Sequence, residues 1–353
     1  MPSSASTHRI SARPGVLLVN LGTPDAPRAP EVRRYLREFL SDPRVLDLPA
    51  LGRNALLYGV ILPFRPKRSA EAYREIWGPD GSPLLVHGKA LREGVERALD
   101  DVPVALAMRY GNPSLEAGLQ ELERAGCDSL LVLPLYPQYA SSSTGSTVEA
   151  VYRACAGRWN TPFVRVVPPF YDEPAFVRAF AEVARPVLDE LRPDHVLFSY
   201  HGLPVRQVQK SAPDDPRCGA ADGSCCDALR VTNRQCYRAQ SLATTRLLVE
   251  ALGLEEDTTS TAFQSRLGRT PWIQPYTDQV VPELAEQGVR RLAVLCPSFV
   301  ADCLETIEEI GMRAKDDFVA AGGEELRLVP SLNAEPAWIE ACVTLLEREL
   351  RTE

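Results

Sequence analysis

Short apolar runs rich in valine and leucine recur along the chain, at 16–21, 104–108, 130–135, 163–167, 196–200, 259–263, 292–295 and 326–329. Most lack the strict in–out alternation of a half-exposed strand, so they read as strands covered on both faces. Helical patterns lie between many of them. Val32, Tyr35, Leu36, Phe39 and Leu40 follow the i, i+3, i+4, i+7, i+8 spacing of one helix face; Leu115, Leu119 and Leu122 do so in part, and 242–252 forms another. Alternation of this kind specifies parallel sheets in an α/β fold. Eight strands over 353 residues suggest two four-stranded sheets, each flanked by helices. In such folds ligands sit beyond the carboxyl ends of the strands. Asn20 to Pro24, Arg109-Tyr110, His201 and Pro297-Ser298 all follow strands.

Composition narrows the function classes. With 45% hydrophobic and 24% charged residues the chain can build a sizeable core. A net charge of −8 offers no basic excess for phosphates, which argues against nucleic acid as a partner. No apolar run approaches the roughly 18 residues a membrane span needs. The first 14 residues are polar and lack a signal core, which points to a cytoplasmic protein. Disulfides are not expected there. Nine cysteines are present, and four of them, Cys218, Cys225, Cys226 and Cys236, crowd into 19 residues.

Chemistry concentrates at two places. His201 stands where a strand ends, in Ser199-Tyr200-His201-Gly202-Leu203-Pro204. The stretch Asp302-Cys303-Leu304-Glu305-Thr306-Ile307-Glu308-Glu309 reads as a helix start on which Asp302, Glu305 and Glu309 fall within about 60° of one another. A histidine and a carboxylate ladder suit a divalent metal and proton transfer. Each feature alone also fits a hydrogen-bonded core histidine or a solvated acidic face.

Five longer motifs carry a resemblance. They are Leu18-Val19-Asn20-Leu21-Gly22-Thr23-Pro24, the run from Leu135-Tyr136-Pro137-Gln138-Tyr139 to Ser146, the His201 motif, Phe263-Gln264-Ser265-Arg266 through Pro271-Trp272, and 302–309. Together and in this order they resemble ferrochelatase, a family that inserts ferrous iron into a porphyrin. The resemblance implies two Rossmann-like, chelatase-type domains, expected at 14–167 and 168–334, and a C-terminal helix in 335–353 packing back on the first. It implies His201 and Glu305 as the catalytic pair and ligands of the Fe²⁺ substrate, and Asp302 and Glu309 as a path for iron or protons. Cys303 stands where animal members carry histidine, a departure shared by bacterial members.

A flat tetrapyrrole needs apolar walls and partners for its propionates. Leu21, Tyr136, Tyr139 and Trp272 are expected as walls, and Arg109 with Ser143 in the serine-rich loop as propionate partners. For Tyr136 ordinary core packing, and for the loop helix capping, remain open. The apolar stretch 55–64, followed by Arg65, Lys67 and Arg68, reads either as a core helix or, by resemblance, as an exposed lip over the porphyrin entrance that touches the inner face of an anionic membrane. The cysteine pattern C-x6-C-C-x9-C lacks the paired knuckles of zinc sites. It resembles the insert with which some bacterial ferrochelatases hold a 2Fe–2S cluster; structural zinc and plain thiols are the alternatives.

The expected reaction is insertion of Fe²⁺ into protoporphyrin IX. Coproporphyrin III is the near rival, although its enzymes tend to place tyrosine where this chain has Leu21. A non-catalytic porphyrin or haem carrier and an iron–sulfur redox module are rivals of other classes. A homodimer is left open.

Overall fold

The computed structural model describes residues 12–213, 224–268 and 270–351. Cys218 and Arg269 lie outside them. The eight expected strands form within a residue or two of their apolar runs: β1 Pro14–Asn20, β2 Val104–Met108, β3 Ser129–Pro134, β4 Phe163–Val166, β5 His195–His201, β6 Thr259–Gln264, β7 Arg291–Leu295 and β8 Glu325–Leu328. They build two parallel sheets, ordered β2-β1-β3-β4 and β6-β5-β7-β8. The two orders are the same, so the chain makes one topology twice although no sequence repeat is visible. In each sheet the first strand is central and covered on both faces, which is why β1 and β5 read as largely apolar runs.

The helices supply the covering layers. In the first lobe these are α1 (Ala29–Ser41), α2 (Ala50–Leu56), α3 (Leu62–Ile76), α4 (Pro83–Ala98), α5 (Leu115–Arg124) and α6 (Ser146–Ala156). Then come α7 (Pro174–Leu191), α8 (Val205–Ser211), α9 (Tyr237–Leu252), α10 (Thr277–Glu286), α11 (Leu304–Thr306), α12 (Lys315–Ala320) and α13 (Pro336–Leu350). Among the described residues three stretches are π-helical: Leu57–Ile61, Ser141–Gly145 and Ile307–Ala314. Such segments are rare and gather at functional sites.

One hydrophobic cluster runs through both lobes, from Val16 and Leu133 past Phe170, Phe176 and Phe198 to Leu295. Helix α13 packs against α4, α7 and β3. Its Trp338 is fully buried, 5.6 Å from the ring of Phe170 and 6.0 Å from that of Phe176. The C-terminal helix thus closes the core between the lobes.

The carboxyl ends of the central strands require glycine. Gly22, after β1, has φ +120°, and a Cβ there would lie 1.8 Å from the Tyr110 carbonyl oxygen. Gly202, after β5, would put a Cβ 2.8 Å from the Gln264 carbonyl oxygen. Both glycines let neighbouring strand ends approach closely, and the site is built on those ends.

Candidate active site

His201 is the last residue of β5, opposite Gln264 on β6. Its backbone N–H donates to Ser298 Oγ at 3.2 Å. Its Nδ1 lies 2.6 Å from the Gly202 carbonyl oxygen. A carbonyl can only accept, so Nδ1 carries a proton, and Nε2 is the ring nitrogen outside this bond. The imidazole is half-buried between Trp272 and Phe299, with ring centroids 6.4 and 6.3 Å away. Trp272 is fixed by its own indole N–H, which donates to the Leu267 carbonyl at 2.9 Å.

Glu305 lies in the single turn of α11, at the end of the loop that follows β7. Its charge faces the first lobe. Tyr73 on α3 has its hydroxyl pKa raised, chiefly by burial and next by Glu305. Tyr35 on α1 is raised by burial, with Tyr73 and Glu305 adding. Arg65 on α3 is lowered by desolvation while Glu305 pulls the other way. Leu304, the first residue of α11, and Ile307, just past its end, pack on the cluster of Tyr35, Leu36, Leu57 and Tyr110, where Leu21 also packs. The carboxylate therefore stands at the seam between the lobes.

The acidic residues do not form the expected ladder. Cys303 is extended and serves as the N-cap, so the helix begins only at Leu304 and Asp302 precedes it. Asp302 instead ties down the loop after β8. Its Oδ1 accepts from Thr306 Oγ and the Ser331 N–H, and its Oδ2 accepts from Asn333 Nδ2 at 2.8 Å. Beyond Thr306 the chain winds as a π-helix, which spreads successive turns differently from 3.6 residues each. Glu309 faces β6: Oε1 accepts the Ser265 N–H at 2.8 Å and Oε2 the Ser265 hydroxyl at 2.5 Å. Cys303 is buried; its thiol pKa is raised by burial and then by Glu305.

The expected porphyrin contacts divide into two groups. Leu21, Tyr139, Ser143 and Trp272 keep part of their surface open. Arg109 and Tyr136 are engaged within the first lobe. Arg109 donates to Asp42 Oδ2 at 2.8 Å and to Ser146 Oγ at 2.8 Å, and stacks on Tyr110. Asp42 also accepts from Tyr110 and Ser146. Burial alone would raise its carboxyl, but these donors and the Arg44 N–H hold it below the usual range. Tyr136 is buried with its hydroxyl 3.3 Å from Thr147 at the start of α6. No serine or threonine side chain caps the 141–145 turn; Ser141 accepts from Arg44 at 2.8 Å instead.

The lip and the cysteines complete the picture. From α2 to α3 Leu57, Leu62 and Pro66 turn inward, while Leu51 (86% exposed), Tyr58, Val60 and Phe64 (77%) face out beside Arg65, Lys67 and Arg68. The core-helix alternative holds only for the inward stripe. Cys225, Cys226 and Cys236 are buried against the main core. The Cys225 and Cys226 sulfurs are 3.5 Å apart, and the Cys226 thiol is raised first by its hydrogen bond with Cys236. Cys236 is also the residue from which α9 starts.

Sequence reasoning read Tyr35 as part of a helix face and Arg65 as a membrane flank, passed over Tyr73, and gave Gln264 no role. The one available signal was the placement of Gln264 at the carboxyl end of a strand inside a matched motif.

Comparison with known proteins agrees with this geometry. A family model described as ferrochelatase matches residues 13–350. A ferrochelatase from Coxiella burnetii (strain CbuG_Q212) is 48% identical over 338 residues, covering 96% of this chain and 94% of its own. One from Legionella pneumophila (strain Corby) is 45% identical over 339 residues, covering 96% and 100%. Among solved structures, SirB from Bacillus subtilis with Fe³⁺ matches with a TM-score of 0.54 at 13% identity over 95% of each chain. The sirohydrochlorin chelatase SirB from Bacillus subtilis subspecies spizizenii, in complex with cobalt, gives 0.52 at 11%, covering 95% of this chain and 94% of that one. At such identities the likeness concerns the fold, that of the chelatases. A match from end to end at nearly half of all positions concerns more than the fold, and the chain belongs to the ferrochelatase family of metal-chelating lyases.

Proposed function

We propose that this chain inserts Fe²⁺ into protoporphyrin IX, with His201 and Glu305 as the residues that meet the metal and the pyrrole protons. The observation that carries the reading is the Nδ1–H bond of His201 to Gly202, which makes Nε2 the ring nitrogen available to a metal or a proton at the end of β5. In the reaction two pyrrole N–H bonds break, four iron–nitrogen bonds form, two protons leave and iron stays ferrous. A neutral imidazole can bind the incoming ion or accept a proton. The Glu305 carboxylate, at the lobe seam, offsets the ion's charge or takes the other proton. Asp302 and Glu309 frame the site, Asp302 through 331–333 and Glu309 through Ser265; with Glu308 paired to Arg313, Glu309 is the carboxylate offered to a proton moving outward.

Two features favour protoporphyrin over coproporphyrin. Leu21 places an alkyl side chain, not a phenol, where a vinyl edge would lie. Arg109 is already engaged with Asp42, so it is not a ready partner for an extra propionate. An anaerobic assay with Fe²⁺ and each porphyrin should show faster turnover with protoporphyrin IX. Faster turnover with coproporphyrin III would reverse the choice of substrate, and binding of either without metal insertion would favour the carrier reading.

The outward residues of 51–64 and the three cations after them support peripheral binding to the inner membrane face, from which a hydrophobic porphyrin could be drawn. Among the described residues no helix is long and apolar enough to cross a membrane. Weak, salt-sensitive flotation with anionic liposomes is expected, because one apolar patch with three cations gives only reversible binding. Equal recovery with neutral lipid would rule out the basic flank, and no flotation with either would rule out the lip.

The cysteines support a 2Fe–2S cluster held by Cys218, Cys225, Cys226 and Cys236. Among the described residues no group of three or more metal-ligating side chains is arranged around a common point, and the fourth thiol, Cys218, lies outside them. Three features fit the group. The described thiols are buried, Cys226 lies against Cys236, and the 3.5 Å between Cys225 and Cys226 is close to the roughly 3.7 Å separating two sulfurs on one tetrahedral metal. The cluster would add structural cohesion there, and metal insertion needs no electron from it.

A further inference from the structure

The inference concerns Gln264 and rests on the assignment of Glu305 above. We infer that Gln264 is the positioning residue that sets Glu305 against His201. Its side chain is 2% exposed and joins the elements that carry the pair. The backbone of Gln264 faces His201 across the β5–β6 ladder, and its carbonyl accepts the Gly202 N–H at 2.8 Å. Its amide Nε2 donates to the Glu305 carbonyl oxygen at 2.7 Å and lies 3.4 Å from Glu309 Oε2. Its Oε1 accepts from Ser199 Oγ at 2.8 Å and faces the Cys296 thiol at 3.7 Å.

The amide orientation follows from its neighbours. Glu305 O and Glu309 Oε2 can only accept, so the NH₂ must face them, and the oxygen must face the hydroxyl and the thiol. A single carboxamide thus links the strand ending in His201, the end of β7 and the turn that carries Glu305. The bond reaches α11 just before the chain passes into the π-helix at Ile307, where the helical ladder is least regular. Without the donor, the tie that remains from the end of β6 is that of Ser265 to Glu309, four residues past Glu305. The carboxylate would then shift relative to a porphyrin held by both lobes. Shifts of about 1 Å in a reacting group cost on the order of 10²-fold in rate.

The test uses the full-length protein carrying Gln264→Met, Glu305→Gln and both, with kcat at saturating Fe²⁺ and porphyrin, porphyrin Kd from fluorescence quenching, and thermal melting. Gln264→Met should lower kcat about 10–100-fold while Kd stays within about threefold, the split expected of an interaction felt at the chemical step. In the Glu305→Gln background the same change should cost less than about threefold, because a positioning residue has nothing left to position. A purely structural role predicts instead that the two losses multiply, and that result would overturn the inference. Parent-like kcat in Gln264→Met with a slow Glu305→Gln overturns it while sparing the role of Glu305. Parent-like kcat in Glu305→Gln removes both. Gln264→Glu keeps the shape but, as a carboxylate, offers no donor; it should follow Gln264→Met and serves in its place if that protein does not fold.

Discussion

The His201→Ala protein is expected to fold and bind porphyrin, yet to lose turnover by at least about 10²-fold, the lower range for removing a group that transfers protons. The fold should survive because the side chain contributes one local bond, from Nδ1 to the next residue's carbonyl, and the strand is held by its ladder to β6 and β7. Porphyrin affinity should hold because the apolar walls are separate residues. Glu305→Gln, which keeps shape and removes charge and basicity, should lower kcat by about 10²–10⁴-fold. Anaerobic single-turnover rates, with porphyrin fluorescence and melting temperature on the same samples, check both. Parent-rate turnover by His201→Ala would end the assignment. Asp302→Asn and Glu309→Gln offer a contrast. Each carboxylate is held by several donors within the second lobe, so their loss should show in the melting temperature as well as in rate.

Serine at Cys218, Cys225, Cys226 or Cys236 is expected to bleach the visible spectrum and cut the folded yield sharply. Iron and acid-labile sulfide should each stand near two per chain in the parent, as a 2Fe–2S cluster requires, and near zero in the variants. The yield should fall because metal binding free energy is also folding free energy, and a hydroxyl replaces a thiolate poorly. Cys236 precedes the first residue of α9, whose Gln240 accepts the Tyr139 N–H at 2.6 Å and whose Thr244 accepts from Gln138 at 3.0 Å. Loosening that helix end would therefore reach the serine-rich segment of the first lobe. Serine at Cys127, Cys155 or Cys342 should leave spectrum and metal content unchanged. A colourless parent with about one zinc per chain would replace the cluster with a structural zinc site.

The strands β1, β2, β3, β5 and β7 were legible in the sequence because a strand buried on both faces is largely apolar; β4, β6 and β8 are only partly buried and showed as shorter or more polar runs. Each of the eight runs became a strand, and parallel pairing followed from the helices between them. His201 was legible for a related reason: strand ends in parallel sheets are where ligands bind, so one histidine at such an end stands out. Glu305 was legible through a matched motif, not through its helical spacing, which failed. The extended Cys303 and the π-helix beyond it depend on contacts with Thr306 and on packing against α1 and α3, and no periodicity encodes those.

Direction was decided only in the tertiary structure. Arg109, a free cation in the sequence, is held by Asp42 from a loop 67 positions away; Tyr136 lies beneath α6; Gln264 reaches Glu305 across 41 positions. A residue's type and its neighbours along the chain state what it can donate, accept or bury. Which partner it meets depends on how two sheets and their covering helices pack. A buried polar side chain takes whichever partner that packing leaves within about 3 Å, since going without one costs about 1–3 kcal/mol. Local sequence therefore determined the strands, the strand-end histidine and the family, and long-range packing decided which polar side chains remain open to substrate and which hold the site in place.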